Sequence, residues 1–303
     1  MKQKIQIISA PSILGLKPTG VEQLGNALLN TGRLEKLESV GPVIEVHTLN
    51  ASYSKHRDHK TKCLNLTAIH DFSSGLMRHI EEQIDKSNFS LVLGGDCSIL
   101  IGIMPALRSK GKFGLIFMDA HADFYEPTKS TTGELADMDL AIVTGRGPDK
   151  LTNIDNLKPY VEDKNVIQIG QRDAEQTKEY GSQDIAKTKI KIFDFANIKS
   201  QGVDKVVEDV TKYINELNLD GFWIHFDTDV ISDDENPAVD YRLPGGLTFK
   251  ETGHLLNQLV LTEKITGMSV TIFNPALDKS GEIALKLSDC LIFSLSKNDG
   301  VHR

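Results

Sequence analysis

Short apolar runs alternate with longer amphipathic stretches from one end of the chain to the other. Ile5–Ser9, Val43–His47, Leu91–Leu93, Gly114–Met118, Val166–Ile169, Lys191–Phe193, Phe222–Phe226 and Ile265–Val270 read as strands. Val21–Leu29, Leu66–Ile84, Val203–Leu217 and Phe249–Leu259 carry a helical period, and Leu76, Ile80 and Ile84 mark one helix face. Several strands are almost continuously apolar, as in Leu115-Ile116-Phe117-Met118 and Phe222-Trp223-Ile224, so both sheet faces are expected to be covered. The pattern predicts an α/β fold: a doubly wound, mainly parallel sheet of about eight strands with helices on both faces. No repeat, linker or low-complexity segment interrupts it, so a single domain over residues 1–303 is expected. A closed eight-stranded barrel also fits the length, but the irregular strand spacing favours an open sheet.

Two of these strands end in acidic residues. Gly114–Met118 runs into Asp119, His121 and Asp123, and Phe222–Phe226 runs into Asp227 and Asp229. Carboxylates are rarely buried without a partner, and a divalent cation satisfies several at once. The two segments therefore read as halves of one metal site. Alanines at 120 and 122 leave room for a crowded centre. Oxygen donors with one imidazole suit Mn²⁺ first, with Zn²⁺, Fe²⁺ or Ni²⁺ also compatible. Four carboxylates exceed what one ion needs, so two ions sharing them fit better, with an activated hydroxide as the nucleophile. The longest irregular segments, Ala122–Ala136 and Ser232–Gly246, follow the two clusters, where parallel α/β proteins bind ligands. A third strand end, Gly94-Gly95-Asp96-Cys97-Ser98, offers Asp96 or Ser98 as a helix cap. Cys97 there reads either as a ligand or as a small buried hydrophobe. His225, on the same strand face as Asp227, reads as a group that hydrogen-bonds a ligating carboxylate, with direct ligation as the alternative.

Composition narrows the class. The chain has 303 residues, 40% hydrophobic and 25% charged, with a formal charge of -8 and no basic stripe, which argues against nucleic-acid or anionic-membrane partners. No apolar run reaches the roughly 20 residues that span a bilayer. The N-terminus leads into a strand rather than a signal-peptide core. Three widely spaced cysteines make no disulfide framework, so a reducing cytoplasm is expected.

Together the three strand-end segments resemble the ureohydrolase family of arginase, agmatinase, formimidoylglutamase and relatives. That family carries Gly-Gly-Asp-His-Ser, Asp-Ala-His-x-Asp, and an Asp-x-Asp strand end followed by Pro-Gly-Gly-Leu. Here they stand as Gly94–Ser98 with Cys97 for the histidine, Asp119–Asp123, and Asp227–Asp229 leading to Pro244-Gly245-Gly246-Leu247. Ala10-Pro11, Thr31–Leu37 and Gly267–Pro275 extend the resemblance over nearly the whole chain. It implies the arginase/deacetylase-like fold, a small-molecule substrate and a homo-oligomer, trimer or hexamer. It implies one Mn²⁺ on Asp119, His121, Asp227 and Asp229. A second would sit on Asp119, Asp123, Asp227 and Cys97, weakened if the thiol stays protonated. Asp123 would orient the hydroxide and pass a proton.

Four positions depart from the family: Cys97 for the histidine ligand, Ala136 for the proton-shuttling histidine, Ile272 for the acidic partner of a guanidinium, and Tyr125 for an asparagine that reads a carboxylate. A guanidinium facing Ile272 would lose its charge partner. Arginine and agmatine are therefore not the expected substrates. A neutral amidine or amide, or a substrate whose anionic tail meets Arg242, is expected instead. Tyr125, Ser130, Thr132, Glu175, Tyr241, Arg242 and Ile272 are the expected substrate-binding positions, and Glu134 is a candidate acid or base near the lost histidine. Two alternatives stand beside this: a mononuclear zinc amidohydrolase of deacetylase type, using Asp119, His121 and Asp227, and a catalytically degraded metal-binding paralogue.

Overall fold

The computed structural model describes residues 4–46 and 52–296. Eight strands form one open sheet: β1 (Ile5–Ser9), β2 (Ile44–Glu45), β3 (Phe89–Leu93), β4 (Phe113–Met118), β5 (Val166–Ile169), β6 (Lys191–Phe193), β7 (Gly221–Asp227) and β8 (Ile265–Thr271). Their order is β2-β1-β3-β8-β7-β4-β5-β6, and every pairing is parallel. The open, doubly wound arrangement expected from the periodicity is thus present. The expected strand Val43–His47 contracts to β2, and His47 lies outside the described residues.

Alternation along each strand feeds two cores. Leu115 and Phe117 of β4 point into one core, with α2 (Leu66–Asp85) and α3 (Leu100–Lys110); Ile116 and Met118 point into the other, with α1 (Leu24–Asn30). That second core is closed by a helix over Val203–Glu216, by one over Phe249–Leu261 capped by a Thr248–Glu251 box, and by one over Glu282–Leu295. Two long helices escape the period analysis. Helix α3 is buried from Leu100 to Leu107 and carries Pro105 inside, so it shows no polar stripe to betray it. Glu282–Leu295 is also mostly apolar, with a weak amphipathic contrast.

The central strands β3, β8, β7 and β4 are neighbours, so their carboxyl ends bring Cys97, Ile272, Asp227 and Asp119 to one edge of the sheet. The turn after β3 is packed backbone on backbone. Asp96 N donates to Ser12 O at 3.0 Å, Ile272 N donates to Gly95 O at 2.8 Å, and a Cβ on Gly95 would overlap the Ser12 carbonyl. Gly95→Ala must therefore force the segments apart, at a cost of about 2 kcal/mol or more. A thermal melt should show a midpoint lower by about 4 °C or more; an unchanged midpoint would show that this turn has slack.

Candidate metal centre

Each carboxylate of the cluster is placed by its own backbone. Asp119 directly follows β4 and turns its Oδ1 to accept the His121 N–H at 2.6 Å. Asp227 ends β7 and accepts the Asp229 N–H at 2.8 Å. Asp229 reaches across to accept the Ala120 N–H at 3.0 Å, which ties the two strand ends together. Arg172 buttresses this joint: its guanidinium donates to the Asp229 and Leu243 carbonyls at 2.9 and 3.3 Å. Asp123 sits at φ +44°, and its carbonyl accepts from Ala141 N at 3.2 Å. The structure thus brings together all the metal-competent residues expected from the sequence.

Potential ligand atoms of Asp119, His121 and Asp123 lie within 4.8 Å of one another, as do those of Asp119, Asp227 and Asp229, and those of Cys97, Asp119 and His225. Asp119 belongs to all three groups, as a bridging carboxylate would. It is completely buried, and its Oδ2 has no hydrogen-bond partner. Burial, and then the neighbouring Asp229, push the Asp119 carboxyl up to about 7. Burial and their acidic neighbours likewise raise Asp123 and Asp227 well above the carboxylate range. Burial would lower His121, but Asp229, with Nδ1 at 2.8 Å from its Oδ2, and Asp119 hold it well above its ordinary value. A divalent cation would remove this conflict, and the crowding, the orphaned oxygen and the oxygen-rich donor set fit one.

Cys97 is buried, and burial followed by Asp227 raises its thiol far above the ordinary cysteine range. It donates to Asp227 Oδ2 at 2.8 Å. His225 is fully buried and is kept neutral, its pKa pushed down to about 3 by burial.

A cavity of about 300 Å³ opens onto the cluster, lined among others by Tyr125, Thr132, Glu134, Tyr241, Arg242 and Ile272. Two expected substrate-binding residues fall outside its lining. Glu175 is exposed on the first turn of a short helix, Ala174–Glu179, whose register turns Gln176 into the cavity instead. Ser130 is buried and spends its hydroxyl on Asp137 at 2.9 Å and on the Gly133 N–H at 2.9 Å. Arg242 lines the mouth, but its guanidinium is fully paired with Asp233, the Nη2 contact being 2.9 Å, so it is not a free anion receptor. Glu134 is buried rather than solvated. Lys17 Nζ stands 3.3 Å from its Oε1, and Tyr241 Oη donates to its Oε2 at 2.7 Å.

Leu16, Cys97, Ala136 and Ile272 form an apolar cluster that walls the cavity beside the metal residues. Ile272 holds φ +72°, a region that a β-branched residue adopts only under strain. Lys17, Arg172 and Asp139 were not singled out from the sequence. Asp139 had a usable signal, since Asp137-Met138-Asp139 repeats the Asp-x-Asp spacing of the other two clusters.

Carboxyls raised by folding bind protons that the unfolded chain has lost, so their stabilising effect is complete below the ordinary carboxyl pKa and disappears as pH rises. For Asp119 the window runs from 3.8 to about 7, and the raised His121 acts in the same direction. The metal-free protein should therefore melt at a lower temperature at about pH 8 than at about pH 5. Excess Mn²⁺ should raise the midpoint most at the higher pH. A chelated protein more stable at the higher pH would contradict this electrostatic picture.

Comparison with known proteins agrees with the geometry. Residues 3–296 match the arginase family model. Arginase from Staphylococcus aureus (strain MRSA252) is 29% identical over 290 residues, covering 93% of this chain and 94% of that protein. The structure of arginase from Bacillus caldovelox superposes with a TM-score of 0.84 at 27% identity, covering 98% of this chain and 99% of the other. Formimidoylglutamase from Bacillus subtilis shares the fold at a TM-score of 0.73 and 17% identity, over 97% and 86% of the two chains. The chain belongs to the arginase family, the ureohydrolases.

Proposed function

We propose that this ureohydrolase cleaves a C–N bond in a small amidine, guanidino or amide substrate whose reacting end is flanked by an apolar rather than an anionic wall. The observation that carries this reading is the Leu16–Cys97–Ala136–Ile272 cluster beside the metal residues. A guanidinium placed against Ile272 meets hydrocarbon and loses the charge partner that would offset its desolvation. The strain at Ile272, of order 1–3 kcal/mol, supports a role for that side chain in the cavity. The relatives named arginase do not themselves favour a departure from arginine; the departure rests on this wall.

In this reading Asp119, His121, Asp227 and Asp229 hold one divalent cation, preferentially Mn²⁺, and Asp119, Asp123 and Asp227 share a second. Such a pair supplies Lewis acidity and a water activated as nucleophile near neutral pH. Asp123, held at its unusual φ beside Asp119, would orient a water bound there and accept its proton. Glu134, held in place by Lys17 Nζ at 3.3 Å and the Tyr241 hydroxyl at 2.7 Å, presents its carboxylate to the cavity as an acceptor for a substrate N–H. Tyr125 and Thr132 also line the cavity. Among the described residues no helix is long and apolar enough to cross a membrane.

Three experiments test the reading. Ammonia and urea release should be followed for the Mn²⁺-loaded protein over arginine, agmatine, neutral amidines and primary amides. Turnover of a neutral substrate should exceed that of arginine by about tenfold or more, equivalent to about 1.4 kcal/mol. Efficient urea release from arginine would overturn the substrate argument. Ile272→Glu should then move kcat/KM toward guanidino substrates, and an unchanged preference would show that position 272 does not read charge. Asp123→Asn should lower kcat by about 10²-fold or more while the protein still binds the cation held by Asp119, His121, Asp227 and Asp229; wild-type turnover would remove Asp123 from the chemistry.

A further inference from the structure

Where Cys97 takes the place of the family's histidine, two side chains outside the family's motifs converge. Asp139 is completely buried at the start of the helix Asp139–Val143. Its Oδ1 accepts the Leu140 N–H at 2.8 Å, but its Oδ2 has no hydrogen-bond partner. That bare oxygen lies 3.9 Å from Nε2 of His225, which is also completely buried.

The imidazole is held rigidly. Its ring stacks on Phe117 with centroids 4.9 Å apart, and Nδ1 is hydrogen-bonded to Ser269 Oγ at 3.0 Å. Ser269 is itself fixed by the Trp223 Nε1–H at 3.1 Å. With Nδ1 engaged, Nε2 is the nitrogen left to face the centre, its nearest hydroxyl being Thr271 Oγ1 at 3.5 Å. A nitrogen of His225 lies within 4.8 Å of potential ligand atoms on both Cys97 and Asp119. The imidazole nitrogen has only the Thr271 hydroxyl near it, and the Asp139 carboxyl faces the Asp123 carboxyl, so both buried groups border the part of the site that lacks its histidine. Two carboxyls facing each other in such a place, Asp123 and Asp139, cannot both be ionised at low cost unless a cation joins them. The loss of one imidazole at position 97 is matched by the presence of another at 225, with an added carboxylate at 139.

We infer that Asp139 Oδ2 and His225 Nε2 ligate the second divalent cation beside Asp119, rebuilding the subsite from which the family's histidine is absent. This rests on the chain holding a pair of cations, as in the hydrolase reading. The imidazole-plus-carboxylate set keeps the subsite suited to Mn²⁺ without requiring the Cys97 thiolate. In a metal-ligating role, the Ser269 bond to Nδ1 orients the ring from behind.

Chelator-stripped wild type, Asp139→Asn and His225→Asn should be titrated with Mn²⁺ alone, following free Mn²⁺ by electron paramagnetic resonance and counting bound metal by elemental analysis. Asparagine at 139 retains the oxygen that caps Leu140, and Asp139→Ser serves if the asparagine variant does not fold. Wild type should bind two ions. Each variant should keep the tighter ion and bind the other at least about tenfold more weakly, with an unchanged metal-free circular dichroism spectrum. Either variant binding both ions like wild type would overturn the assignment. So would equal weakening of both ions, which would make these residues scaffold rather than ligands. A wild type that binds one ion overturns this inference and the two-cation form of the hydrolase reading, leaving hydrolysis with a single cation; one that binds none overturns the hydrolase reading altogether.

Discussion

Mutual repulsion among buried carboxylates is the constraint around which this molecule is arranged. Asp119, Asp123, Asp139, Asp227 and Asp229 all lie within a few per cent of complete burial. Taking such groups out of water is costly, and placing them together adds their repulsion. In the metal-free chain the conflict is eased by holding protons. Asp119, Asp123, Asp139 and Asp227 are all raised, while Asp229 is held low, against its own burial, by His121, the Ala120 N–H and Arg172. A fold that keeps this cluster is organised to exchange those protons for cations.

The scaffold meets the constraint with rigid parts. Four neighbouring strands end at one edge, and each delivers one element of the site before its chain turns away. The sheet is buried on both faces by two cores, so the strand ends have little freedom to relax from one another. Loops then dress the centre. Lys17, Tyr241 and Glu134 link three separate segments across the cavity, and Arg242 is tied to Asp233 on its own loop. The floor of the cavity is the acidic cluster, and Ile272, Ala136 and Cys97 form an apolar wall beside it.

How much of this was legible in the sequence follows physical lines. Parallel strands buried on both faces write themselves as unbroken apolar runs, so β4 and β7 and their acidic ends are plain. Helix α3 is hidden because a helix apolar all round has no period to detect. Glu175 misleads because one residue of helical register decides between cavity and solvent. The Arg242–Asp233 pair is invisible because loop residues nine apart have no fixed geometry until the loop is folded. Asp139 is the instructive case. Its Asp-x-Asp spacing matches the other clusters but follows no apolar strand, so only the packing of the helix Asp139–Val143 against Asp123 places it at the centre.

If cations displace protons from this cluster, metal binding must release protons that can be counted. Mn²⁺ should be titrated calorimetrically into chelated protein near neutral pH, in buffers of different ionisation enthalpy. Binding should release at least one proton per chain, because carboxyls held protonated and a protonated His121 must all give way to metal. Tight binding with no proton release would mean that the carboxylates were already ionised, and the electrostatic account of the site would be wrong.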